Sequence, residues 1–207
     1  MTAASPRLFH LHYHVPDIRY AERVLAEHGL PLHARYGSVD DEPISLAPDE
    51  DPPKGFDFKL QDAQRGYANI TLTPGKDVRF DHLGLVSPEF ETVVERASDV
   101  EWQIQGVDSP RTFLITPWGF RVEIHPDDGF IAETLGSWEE CGFDTVTLAV
   151  KNPDEVKKGL QDVVGTVSEV EIQQGEDRPH VPQVTLHGHA FRDEVTLEAA
   201  SLAGESV

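Results

Sequence analysis

Two landmarks recur at a single interval along this chain, and that repetition limits the fold more than any other feature. His10 and His82 stand 72 residues apart, and so do Asp17 and Glu89, each of which opens a helical pattern. Self-similarity at a fixed period marks a supersecondary unit that is completed by packing on its neighbour. The second copy is the easier to read. Phe80 to Val86 is a strand, with Leu83 and Leu85 on one face and His82, Gly84 and Val86 on the other. Phe90, Val93, Val94 and Ala97 follow at helical spacing, so a helix crosses back over the sheet. Arg111 to Thr116 is a further strand, which Pro117-Trp118-Gly119 turns into a last one. There Phe120, Val122 and Ile124 form an apolar face, and Arg121, Glu123 and His125 a polar one. The unit is β-α-β-β-β, with His82 and Glu123 on its helix-free face.

The first copy follows the same plan. Residues 8 to 15 alternate, with Phe9, Leu11, Tyr13 and Val15 to one side and His10, His12 and His14 to the other. Asp17 suits an N-cap, Ile18, Ala21, Val24 and Leu25 make a helical stripe, and His28-Gly29 ends it. Strands are expected at 32–39, 56–60 and 67–73, the last with Ala68, Ile70 and Leu72 apolar and Asn69 and Thr71 polar. Between them, residues 40–55 hold six acids and four prolines. That composition reads as a loop, with a short extended piece at Ile44 to Leu46.

After a connector at 127–142, with a helical turn near Ile131 to Leu135, the pattern starts a third time. Phe143 to Val150 is a strand, Asn152-Pro153-Asp154 opens a helix, and strands follow at 167–172, 184–189 and 195–199. Residues 200–207 read as a frayed tail. Thr145 takes the place of the repeated histidine, so this third unit, residues 143–207, is degenerate. The class is therefore α+β. Residues 1–126 form two paired units around the site, and the third related unit follows.

Charge excludes several functions. The chain has 37 acidic against 17 basic residues, a net charge of −20, spread along its whole length, and Arg outnumbers Lys eleven to six. Such a field repels nucleic acid and anionic lipid, and no apolar run is long enough to span a bilayer. A dispersed acidic surface poor in Lys fits a salt-loving protein, in which screening relieves carboxylate repulsion. Lowering the salt from molar to dilute is then expected to lower the melting temperature, and a melting temperature independent of salt would contradict the halophilic reading. The single Cys141 leaves no internal disulfide and fits a reducing, cytoplasmic setting. Met1 to Arg7 lacks a signal-peptide core.

His82 with Val86-Ser87-Pro88-Glu89-Phe90, and the hairpin Thr116-Pro117-Trp118-Gly119-Phe120-Arg121-Val122-Glu123, resemble half-domains of the vicinal oxygen chelate superfamily. That superfamily includes glyoxalase I, bleomycin-resistance proteins, methylmalonyl-CoA epimerases and type I extradiol dioxygenases. The resemblance implies two units curled into a cup with metal ligands on its concave face. Carried onto this chain, it implies His10, His82 and Glu123 as ligands. Matching Pro74 to Pro126 puts Thr71 at the fourth position, where threonine is a poor ligand. Two imidazoles and one carboxylate with open positions suit Fe(II) or Mn(II) and bidentate chelation of a small-molecule substrate. No organic cofactor is indicated.

His12 shares the face of His10 and is the candidate acid–base group. Arg121, Tyr67, Asn69 and Thr71 are candidate substrate contacts. His14, His187 and His189 read as structural and Cys141 as inert. The implied activity is dioxygenase-like. Within the same fold the alternatives are a lyase or epimerase, and a protein that sequesters its ligand without chemistry. Phe113 stands where extradiol enzymes place a tyrosine. The third unit has no partner unit in the chain, so a homodimer through it is expected.

Overall fold

The computed structural model describes residues 5–107 and 109–204. The first unit runs β1 (Arg7–Val15), α1 (Ile18–Glu27), β2 (Leu32–Val39), β3 (Glu42–Leu46), β4 (Asp57–Arg65) and β5 (Ala68–Pro74). The second runs β6 (Arg79–Ser87), α2 (Phe90–Asp99), β7 (Gln103–Gln105), β8 (Thr112–Ile115) and β9 (Arg121–Pro126). The nine strands of these two units do not form separate sheets by unit; they join in one nine-stranded sheet, ordered β3-β2-β4-β5-β1-β6-β9-β8-β7.

In each unit the last strand lies parallel to the first, β5 on β1 and β9 on β6, and the two units meet where β1 and β6 run antiparallel. In that central pair His10 faces Gly84 and His12 faces His82. Shifting each number by 72 exchanges the two pairs, so the repeat becomes a local two-fold relation between the halves. The helices start as expected. The Asp17 side chain accepts from the Tyr20 backbone N–H at 2.9 Å, and its alternatives in a helix terminus would leave that donor unpaired.

Strict alternation fails at one place in each half. The β1–β6 register shifts between Leu8 and His10, and again opposite His12 and Tyr13, where Asp81 is skipped. These are β-bulges, and a bulge turns one extra side chain to the same side as its neighbour. Phe9 was expected beside Leu11, but its ring lies 5.5 Å from that of His10 and it lines the concave side with it. Asp81, its counterpart 72 residues on, is likewise turned to His82. Gly84 is required here, because a Cβ would lie 2.8 Å from the His10 Cβ.

The acidic segment is less irregular than its composition suggests. β3 pairs with β2 along its length, from Arg35 with Leu46 to Val39 with Glu42. Of the segment's prolines, Pro43 sits on this edge strand, where a missing N–H need cost no ladder bond, and the others lie outside it.

A short helix, α3 (Phe130–Thr134), leads into β10 (Gly142–Val150), α4 (Pro153–Val163), β11 (Val170–Gln174), β12 (His180–His187) and β13 (Val195–Glu198). The element order β-α-β-β-β recurs, and so does the register shift before Thr145. The strand order differs: it is β11-β10-β12-β13, with the strand after the helix, not the last one, parallel to β10. β12 thus occupies the edge of β10 by which the first two units join each other. A 3-10 turn at Ala199–Ala203 follows, and its Leu202 is fully buried, so this part of the expected tail belongs to the core.

The four-stranded sheet of the third unit covers the outer face of the large sheet. Leu8, Leu11, Tyr13, Leu83 and Leu85 share one apolar core with Val146, Leu148, Val184 and Leu186. Trp118 Nε1 donates to Glu155 Oε1 at 2.9 Å across this junction. The dimer expectation rested on an unpaired edge strand and concave face in the third unit. Among the described residues the exposed large hydrophobics are Val100, Val107 and Phe130, none of them in the sheet of the third unit. No helix among the described residues is long and apolar enough to cross a membrane.

Candidate metal centre

The concave side of the large sheet brings His10 and His82 from the two central strands against Glu123 of β9. His10 Nε2 lies 3.2 Å from His82 Nε2, and Glu123 Oε2 lies 3.0 Å from His82 Nε2 and 3.9 Å from His10 Nε2. His82 and Glu123 are each only 2% exposed. Topology explains the meeting. Gly84 pairs with Glu123 across β6 and β9, and with His10 across β6 and β1, so a residue without a side chain leaves the space in which the three converge.

The outer atoms of these groups are tied down in a way that fixes their lone pairs. Asn69 Nδ2 donates to Asp62 Oδ2 and to Gln64 Oε1, both at 3.0 Å. Its Oδ1 must therefore face His10, whose Nδ1–H donates to it at 2.8 Å. Asp81 Oδ2 accepts from His82 Nδ1 at 2.7 Å and also takes a hydrogen bond from Arg121. His125 Nε2 donates to Glu123 Oε1 at 2.9 Å. With both Nδ1 atoms acting as donors, the neutral imidazoles point two Nε2 lone pairs, together with Oε2 of Glu123, at one place. A single proton satisfies one of these contacts. A divalent cation satisfies all three, and hydrogen-bonded outer partners of this kind are what metal-ligating side chains use to hold their tautomer and orientation.

The electrostatics agree with the geometry. Burial pushes the His10 imidazole down to about 4, against the opposing pull of Glu123, which keeps it neutral and able to ligate. Burial alone would raise the Glu123 carboxyl, but the hydrogen bond from His125 and the close approach of His82 and His10 outweigh it and hold the group well below the usual carboxylate range. Burial also pushes His12 down, to about 2, reinforced by His82 and His10.

His12 belongs to the same cluster. One ring nitrogen from each of His10, His12 and His82 falls within 4.8 Å of the others. Its Nε2 is engaged with Thr73 Oγ1 at 2.6 Å, and its ring meets that of His82 edge-on at 4.8 Å. Glu123 completes the set better than His12 on physical grounds, because it supplies the negative charge and an oxygen aimed at both Nε2 atoms. Thr71 pairs with His12 exactly as Glu123 pairs with Gly84, so its place as counterpart of Glu123 follows from the register.

Of the other expected contacts, Asn69 and Thr71 line the cavity over the cluster, Asn69 chiefly as the orienting partner of His10. Arg121 does not reach into the cavity; it holds Asp81 and lies 4.6 Å over the Phe113 ring. Tyr67 sits in the turn before β5, where alternation no longer applies, and packs on Trp138 at 5.5 Å. The cavity holds about 340 Å³ and is walled by Phe9, Tyr36, Arg111, Phe130 and Ile131 among others. A larger one, about 610 Å³, lies beside α1 among Arg19, Glu22, Arg35 and Phe58, and contains no such convergence of acceptors. Asp81, His125 and Arg111 were not singled out as site residues from sequence. The signal for Asp81 was its place beside His82, hidden by the bulge.

No family model matches the sequence, and no curated protein matches it. Solved structures do match the fold. An Mn(II)-bound glyoxalase from Novosphingobium aromaticivorans is 13% identical with a TM-score of 0.61, over 84% of this chain and 63% of that one. An extradiol ring-cleaving dioxygenase from B. fuscum is 15% identical, TM-score 0.54, over 87% and 58%. A 2,2′,3-trihydroxybiphenyl 1,2-dioxygenase from Sphingomonas wittichii strain RW1 is 14% identical, TM-score 0.52, over 78% and 57%. The chain spans about three fifths of the length of each. Identities this low establish a shared fold, which is the one expected from the two repeated units.

Proposed function

On the premise of a vicinal oxygen chelate fold, we propose that this chain is a metal-dependent enzyme that chelates a small substrate through neighbouring oxygens, with dioxygenase-type chemistry. The observation that carries this reading is the convergence of His10 Nε2, His82 Nε2 and Glu123 Oε2, with the far side of each group already hydrogen-bonded. Fe(II) or Mn(II) suits such a donor set, and when bound would supply Lewis acidity and a path for electrons between substrate and dioxygen.

The protein's own part is to bind, orient and exclude water. Asn69, Asp81 and His125 hold the three ligands in register. Thr71, in place of a fourth ligand, leaves room on the cavity side. Phe9, Phe130 and Ile131 give that space apolar walls, while Arg111, the cation of the lining, lies with its Nε 3.6 Å from Glu123 Oε1. His12 is assigned to proton transfer beside the ligands. His12→Ala should keep the metal and lose turnover, whereas loss of the metal would make His12 a ligand.

Replacing Asn69 by Ala removes the acceptor of His10 Nδ1 without touching a ligand. Metal affinity should fall by about 10- to 100-fold, the usual cost of losing such an outer partner, and competition with a chromogenic chelator measures it. Unchanged affinity would show that Asn69 does not orient His10.

Activity is tested by anaerobic loading with Fe(II) or Mn(II), then a panel of catechols with oxygen uptake and absorbance followed together. Uptake coupled to a new chromophore supports the dioxygenase reading. Turnover of another chelating substrate without oxygen uptake would assign a lyase or isomerase. Tight ligand binding without metal would assign sequestration.

A further inference from the structure

We infer that the chain has a second, anion-binding site where the third unit meets the end of the large sheet, built by Lys76, Arg79 and Arg178 around His14. These side chains line one cavity of about 260 Å³, together with Gly75 and Asp77. Two of the cations come from the connection between the first two units and the start of β6, and the third from the segment before β12. The chain folds them together from positions about a hundred residues apart.

What makes the cluster informative is the charge around it. In a protein of net charge −20, a surface cation ordinarily finds a carboxylate, and three unpaired ones in a single cavity oppose their own repulsion. Among the described residues none of Lys76, Arg79 and Arg178 has a carboxylate oxygen within the 4.0 Å of an ion pair, although acids lie close in sequence. Those acids are committed elsewhere: Asp177 to Lys151 at 2.8 Å, and Asp81 to Arg121 and His82. Asp77 lines the cavity, and Asp81 stands behind its His14 wall with Oδ1 3.9 Å from His14 Nε2, so the three cations still outnumber the acids there.

The backbone is shaped to keep the space. Gly75 N–H donates to Val15 O at 2.9 Å, and a Cβ on Gly75 would come within 2.7 Å of the His14 Cβ. His14 forms one wall and stacks on His12 at 5.6 Å, so the cavity adjoins the row of histidines that leads to the metal cluster.

Two guanidinium groups and one ammonium present the forked and point-like donors that recognise tetrahedral oxyanions. The ligand class is a phosphate group, either as the free ion or borne by an organic molecule. Because the cavity joins Arg178 of the third unit to the β5–β6 connection, the bound anion would fasten that unit to the sheet and stabilise the fold.

The test titrates inorganic phosphate into the full chain at constant ionic strength, reading melting temperature and calorimetric heat, beside an Arg79→Gln/Arg178→Gln variant and an Arg19→Gln/Arg23→Gln control. The expected result is a saturable rise in melting temperature for the wild type and the control. The Arg79/Arg178 variant should bind at least about tenfold more weakly, since each charge-assisted contact is worth more than a neutral one. Phenyl phosphate forms a second arm: affinity that changes when the metal is loaded assigns the site to an organic phosphate reaching the cluster, and affinity that does not assigns it to the free ion. Should a variant melt differently without ligand, amide NMR shifts in wild type on adding phosphate, centred on Gly75 to Arg79 and Arg178, give the same answer. A response that does not saturate, that is equal in all three proteins, or that maps elsewhere overturns the inference.

Discussion

The His82→Ala variant should bind no stoichiometric metal, while His187→Ala should bind as well as the wild type. His82 is the shared contact of the cluster, since its Nε2 faces both His10 and Glu123 and its Nδ1 is held by Asp81. Its removal deletes a donor and leaves the Glu123 carboxylate, 2% exposed, with one partner fewer in a dry site. The loss in affinity should exceed the roughly 10- to 100-fold that removal of an orienting partner alone produces. His187 lies in the sheet of the third unit and packs against Trp138 with the rings tilted and 4.8 Å apart, away from the cluster, so its loss touches packing only. Equilibrium dialysis with metal analysis reads both. Stoichiometric binding by the His82 variant would remove it from the ligand set.

Tyr13→Ala should cost about 3–5 kcal/mol, the range for emptying a large aromatic site in a core. Against a typical total of about 5–15 kcal/mol, that is a substantial fraction of the fold. Tyr13 is 1% exposed at the seam between the two sheets, with Phe80 at 6.1 Å on one side and the carbonyl of Val181, from the sheet of the third unit, accepting its hydroxyl at 3.4 Å. That hydrogen bond is long and contributes little, so Tyr13→Phe should cost no more than about 1 kcal/mol. Urea denaturation of the three proteins should show one cooperative transition moving to lower urea in the Ala variant. Two separate transitions would mean that the sheet of the third unit folds independently of the seam.

The sequence carried the repeat and the faces of its strands, because a period of two in the strands and a spacing of 72 between landmarks are both properties of local order. His10, His82 and Glu123 could be placed on one concave surface by that logic, and the structure brings them together. What local order does not encode is where alternation breaks. The bulges before His10 and His82 put Phe9 and Asp81 on the site side, and only the pairing of β1 with β6 creates them. Asp81 and Arg121 therefore looked like unrelated polar residues, although together they hold His82. The edge strand β3 was legible only as a short extended piece, for a related reason. β3 is acidic and proline-containing, and exists because β2 offers it a partner. In the third unit the order of elements was legible but not the order of strands, since β11 and β12 compete for the edges of β10 and nothing in the sequence of either says which side it takes.

The central claim is that the two halves of the repeat build one metal centre. Anomalous diffraction from crystals soaked anaerobically in Mn(II) tests it most directly. The account predicts one strong peak on the concave side, about 2.0–2.3 Å from His10 Nε2, His82 Nε2 and a Glu123 carboxylate oxygen, with Asn69, Asp81 and His125 still bonded to their far sides. A peak elsewhere, or none while His10 and His82 remain in contact, would contradict it.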